Sequence, residues 1–104
     1  MEINVKDYGY DINFVIKNPD GSAVNLTGIG LQVRFLVAEQ ETYRNLLNGL
    51  CVITTGAEGK CKYAVQADDF RKAGIYIGAI RIVYSVTKTV ATKIFFVTVN
   101  EDLA

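Results

Sequence analysis

The strongest constraint on this chain is an apolar–polar alternation of period two that restarts in one segment after another. Tyr10, Ile12, Phe14 and Ile16 alternate with Asp11, Asn13, Val15 and Lys17. Leu31, Val33, Phe35 and Val37 alternate with Gln32, Arg34, Leu36 and Ala38, and Tyr76, Gly78, Ile80, Ile82 and Tyr84 share one face of a later run. Successive side chains on a strand point to opposite faces, so each run predicts a strand with one face toward a core. Composition agrees, since Val, Ile and Thr supply 30 of the 104 residues and fit a pleated, half-buried surface. A chain of this length predicts one domain, residues 1–104, with a core of its own.

Turn chemistry separates the runs. Asn18-Pro19-Asp20-Gly21 ends the first, with Pro presetting φ and Gly accepting a positive φ. Thr27-Gly28 leads into the second. Residues 51–55 and 60–66 form a predicted hairpin across Gly56-Ala57-Glu58-Gly59. Residues 67–70 read as one helical turn, with Asp68 capping it and Phe70 plugging the core. Residues 90–100 read as one last strand, and 101–104 as a frayed tail. Six to eight short strands punctuated this regularly predict an all-β, antiparallel β-sandwich. One stretch departs: in residues 39–50, Tyr43, Leu46, Leu47 and Leu50 recur at the spacing of a helix face, with Thr42 as N-cap and Gly49 as terminator. It is expected to be a short helical or loop insertion that either covers one end of the core or meets a partner.

The residues present limit the chemistry. The chain has no His and no Trp. The usual general base near neutral pH is missing, and Ser-His and Cys-His nucleophile pairs are impossible within the chain. Cys51 and Cys61 are too few for a closed zinc site. They read as reduced apolar fillers or as a cross-strand disulfide. Eleven basic residues balance eleven acidic ones, and Arg34, Arg44, Arg71, Lys72 and Arg81 are scattered, which argues against nucleic acid and polybasic membrane binding. Gly28-Ile29-Gly30 and Gly56–Lys60 lack the spacing of phosphate loops. Asn18, Asp20 and Asn25 offer oxygens to a calcium ion, but their spacing does not require one. The first residues lack the basic and apolar regions of a signal peptide, and the apolar run 75–86 is interrupted by Arg81 and too short to span a bilayer. A cytoplasmic, non-enzymatic protein without cofactors is expected.

Apolar residues on outward positions are more informative. If Phe95, Val97 and Val99 face the core, Ile94 and Phe96 face out. Val15, Leu36, Ile77, Ala79 and Val83 also fall on outward positions. Gathered on neighbouring strands they mark an interface; otherwise residues 39–50 cover them. Leu36, Ile94, Phe96 and Val15 are the candidate interface residues.

The order of motifs resembles a known family. Asn18-Pro19-Asp20-Gly21, then Val24-Asn25-Leu26-Thr27-Gly28 and the alternating run from Leu31, is similar to the strand, "DG-x-P-V-D-L-T-G", strand signature of the N-terminal module of tailed-phage baseplate upper proteins and related tail domains. Gly59-Lys60-Cys61-Lys62-Tyr63 looks like their "G-K-V-x-Y" hairpin. Ala67-Asp68-Asp69 followed by Ala73-Gly74-Ile75-Tyr76 is similar to their step into a long strand. The resemblance spans residues 9–99. Asn25 and Ala23 stand where the family has Asp and Pro, and residues 39–50 are longer. It implies an immunoglobulin-like sandwich of about seven strands. It also implies a non-catalytic structural module of a phage or prophage tail, assembled in the host cytoplasm into the virion and docking on copies of itself or on other tail proteins. The alternative from another class is an adhesin-like sandwich that binds a host-surface glycan through loop aromatics such as Tyr8 and Tyr43.

Overall fold

Nine strands and a single 3-10 turn account for the ordered backbone of the computed structural model, which describes residues 1–5, 7–92 and 94–101. The strands are β1 (Glu2–Asn4), β2 (Asp11–Val15), β3 (Gln32–Glu39), β4 (Asn45–Leu50), β5 (Val52–Thr55), β6 (Lys60–Ala64), β7 (Gly74–Ser85), β8 (Lys88–Ala91) and β9 (Phe95–Asn100). They form two sheets. The larger has six strands in the order β1-β9-β7-β3-β4, with β8 also on β7; the smaller is β2-β6-β5. The fold is therefore an all-β sandwich. Its ladders are antiparallel except one: β1, which the alternation did not reveal, pairs parallel to β9.

The alternating residues meet between the sheets. Val33, Phe35, Val37, Ile80, Ile82, Val97 and Val99 come from the large sheet, and Cys61, Tyr63 and Val65 from the small one or its continuation. Phe14 and Phe35 pack across the gap with centroids 5.1 Å apart, and Phe35 and Tyr63 at 5.6 Å. Tilted pairs at this separation add to the area they bury. Among the described residues no polar or charged side chain is fully buried, so this core is held by apolar burial. Cys51 and Cys61 sit in it as free thiols. The hydrogen bond between them, together with burial, pushes the Cys51 thiol up and keeps it neutral.

Two corners fix the chain between the sheets. The Tyr76 hydroxyl donates to the Lys72 carbonyl at 2.7 Å, a tyrosine corner of the kind found in immunoglobulin sandwiches. The Tyr63 hydroxyl donates to Asp69, which also accepts the Gln66 N–H at 2.8 Å. Residues 67–69 are thus a turn capped by Asp69 rather than a helical turn capped by Asp68; Asp68 instead makes an exposed pair with Arg71. Phe70 fills the core as expected.

Burial, with the hydrogen bond to Asp69, raises the Tyr63 pKa above its ordinary value of 10.0. The protonated form is then favoured by folding, so its stabilisation is complete below pH 10 and is lost as pH climbs through the raised value. Tyr63→Phe is expected to cost about 1 kcal/mol at pH 8, the worth of a net hydrogen bond. The gap between the urea midpoints of variant and wild type should narrow as pH rises above 10. A gap of constant size would show that folding leaves the Tyr63 pKa unchanged.

Two breaks in alternation reshape the large sheet. Residues 39–50 are not a helix: β4 is a strand on β3, entered through a tight turn. In that turn Tyr43 takes φ 55°, its N–H reaches the Glu39 carbonyl, and Thr42 bonds both Glu39 and Arg44. The register slips between Val37 and Ala38, leaving Leu46 as an extra residue. Turn plus bulge disrupt the period of two and imitate a helical spacing. Likewise the strand expected over 90–100 is two strands. Ala91 pairs with Arg81 and Phe95 with Gly78, so the returning chain carries one residue more than β7 does over that interval. Thr92 bridges the offset: its hydroxyl accepts the Ile80 N–H at 3.0 Å and its N–H reaches the Ile80 carbonyl at 2.9 Å. The offset turns Val90 and Phe95 toward the same side although an odd number of positions separates them.

Candidate functional site

Each sheet has an outer face, and their chemistry differs. On the small sheet the outward positions are Asp11, Asn13 and Val15 on β2, Lys60, Lys62 and Ala64 on β6, and Val52 on β5. Asp11 and Lys62 form an ion pair at 3.4 Å. That is the ordinary pattern of an antiparallel sheet with one wet face.

The large sheet does not follow it. The outward positions of β7 are Ile75, Ile77, Ala79, Arg81 and Val83, with one polar residue among them. Pairing sets their neighbours. Ile77 lies between Phe96 and Ala38, Ala79 lies beside Leu36, and Arg81 lies between Ala91 and Arg34 with Leu50 beyond. Ile94, just before core-facing Phe95, is 62% exposed; Phe96 is 59% and Ile75 57% exposed. At a strand spacing of ~4.8 Å and a rise of ~3.4 Å per residue, the face from β1 to β4 and from Ile75 to Val83 measures about 500 Å² in plan. Glu2, Asn4, Thr98, Asn100 and Asn48 also lie on this face, so its apolar part is the smaller stretch around Ile75, Ile77, Leu36 and Phe96, a size that often marks a functional surface.

Three of the four candidate interface residues, Leu36, Ile94 and Phe96, lie together on this face. Val15 does not join them: it is 54% exposed on the outer face of the other sheet. The covering role expected of residues 39–50 also fails, because β4 extends the edge of the sheet instead of lying over it. Leu50 and Ile75 were missed as members of the face. Ile75 was legible from the alternation of β7, whereas Leu50 depended on the β4 bulge.

Besides Glu2 at its β1 edge, the face carries two charges, Arg34 and Arg81, opposite each other in the β3–β7 register. Neither takes part in the ion pairs found among the described residues, which are Lys60–Glu58, Lys62–Asp11 and Arg71–Asp68. Arg34 donates only a long bond, 3.4 Å, to the Asn48 carbonyl.

The other candidates serve local structure. Asp20 accepts the Ser22 N–H and hydroxyl, and Asn25 accepts the Thr27 N–H and hydroxyl. The oxygens considered for calcium therefore shape turns, and among the described residues no group of three His, Cys, Asp or Glu side chains converges on a metal position. Gly28 and Gly30 bracket a turn into β3, with the Leu31 N–H on the Gly28 carbonyl. Among the described residues no helix is long and apolar enough to cross a membrane. Compared with known proteins, the chain matches no family model and no curated protein sequence.

Proposed function

We propose that this chain is a non-catalytic assembly module of phage-tail type, a virion component built in the host cytoplasm. It docks through the outer face of the six-stranded sheet on copies of itself or on neighbouring tail proteins. The observation that carries the reading is the apolar face holding Ile77, Leu36, Ile94 and Phe96, which no segment among the described residues covers. Exposed apolar surface on this scale is stabilised by burial against a partner. The phage-tail setting rests on the order of motifs over residues 9–99. The non-catalytic reading is supported by the absence of His from the sequence. Repetition around a tail would multiply modest contacts by avidity.

Light scattering on a sizing column over a concentration series tests self-docking. The wild type should form a discrete oligomer. Ile94→Asp with Phe96→Asp should weaken association by roughly 100-fold, since burying two large apolar side chains is worth about 3 kcal/mol or more. Val15→Asp, on the other sheet, should leave association unchanged. A wild type that stays monomeric up to millimolar concentration overturns self-docking. It would shift weight to the exposed Tyr8 and Tyr43, the loop aromatics a glycan-binding sandwich would use.

A further inference from the structure

The two sheets are unequal, and the inequality opens a cleft. Beyond the end of β2 the β7–β8 hairpin continues, and the space between the sheets there is a groove of about 880 Å³. Its floor is the core side of the large sheet, with Ile80, Ile82, Phe95 and Val90; its roof is Phe14, Ile16 and Val24. Val90 reaches the floor only because of the one-residue offset at Thr92. The volume is that of a small-molecule site, and a mostly apolar lining with a few placed polar groups is the usual composition of one.

The charged groups here are of one sign. Lys17 and Lys88 stand among the lining residues, and no carboxylate does. The whole chain has no net charge, so this local excess of positive charge is not a by-product of a basic protein. The Lys88 ammonium is held 4.6 Å from the centroid of the Tyr84 ring, a cation–π contact that fixes it beside the groove. Neither lysine takes part in the ion pairs found among the described residues. Lysine stems lie well along apolar walls while the charged ends stay at the wet mouth.

We propose that this cleft binds an aliphatic chain ending in a carboxylate, with the chain between the sheets and the carboxylate at the Lys17–Lys88 rim. The apolar walls supply affinity by burial, and the two ammonium groups select the anionic head. The site is separate from the outer face of the large sheet.

Titration of methyl-labelled protein with decanoate, followed by NMR, tests this. Decanoate should shift the Ile80, Ile82 and Val90 methyls saturably, and decyltrimethylammonium, with the same chain and the opposite charge, should bind at least tenfold more weakly. Lys17→Ala with Lys88→Ala should weaken decanoate about tenfold and bring the two affinities together. Val90→Trp, at the half-open edge of the floor, should fill the groove and remove binding while the remaining spectrum stays that of the folded protein. Equal binding of anion and cation by the wild type, shifts confined to outer-face Ile77 and Leu36, or no saturation overturns the proposal.

Discussion

Gly59→Ala should destabilise the protein by about 3 kcal/mol and lower its melting temperature by roughly 15 °C. Gly59 closes the β5–β6 turn at φ 69°, in the left-handed region. A Cβ there would lie 2.4 Å from the Ile16 carbonyl oxygen and 3.0 Å from that of Val24. Backbone cannot retreat as a side chain tip does. The Ile16 carbonyl already accepts the Val24 N–H at 3.0 Å, and the Gly59 carbonyl accepts the Ile16 N–H at 2.8 Å. The turn is thus buttoned to the 16–24 loop on both sides, and moving it breaks hydrogen bonds. Gly21 provides the control. Its φ is 89°, yet nothing lies within 4 Å of an added Cβ, so Gly21→Ala should cost only the conformational strain, about 1 kcal/mol. Thermal melts of the two variants separate strain from collision. Equal losses would mean that the Ile16 contact is not tight in solution.

The second large effect comes from Gly49. It lies on the core side of β4, opposite Phe35, and the Tyr63 ring from the other sheet lies against it. An alanine Cβ would stand 2.1 Å from the nearest ring carbon. That ring is anchored at both ends, by Phe35 and by the hydroxyl bond to Asp69. Gly49→Ala is expected to cost about 3 kcal/mol through overpacking and loss of that bond. Tyr63→Leu removes the obstructing ring at its own cost. The double variant should therefore be more stable than the sum of the two losses by roughly 1–2 kcal/mol, the coupling typical of contacting residues. Denaturant titration of the four proteins measures this. Strict additivity would show that the ring does not occupy the space above Gly49.

These glycines illustrate what one chain can and cannot announce. Gly59 reads from sequence as a turn residue, and it is one. That it also lies against the Ile16 carbonyl depends on a loop forty residues earlier. Gly49 reads as the end of a helix, because its true role, making room for Tyr63, requires knowing which strand faces it. In the same way Leu46 and Leu47 looked helical because a bulge had shifted the period. The return strand looked continuous because an extra residue near Thr92 leaves no compositional trace.

The candidate face was legible strand by strand. The alternation marked Leu36, Ile77, Ala79 and Phe96 as outward, since a period of two assigns facing from local sequence alone. It could not gather them, because β3, β7 and β9 are neighbours only through long-range pairing. For the same reason it could not see that Val15 belongs to a different sheet. The cleft was not legible at all, as Lys17 follows β2 outside the strands, Lys88 opens β8, and the two are far apart in the chain.

What the sequence determined by itself is therefore local. The identity of the alternating strands β2, β3 and β7, the facing of their side chains, the Asn18–Gly21 turn and the lack of imidazole chemistry follow from neighbouring residues and backbone sterics. The tertiary structure decided what depends on partition and register: which strands share a sheet, where one extra residue reverses facing, and which outward residues join into one surface. Those outcomes arise when distant strands compete for the same core, and no short window of sequence contains that competition.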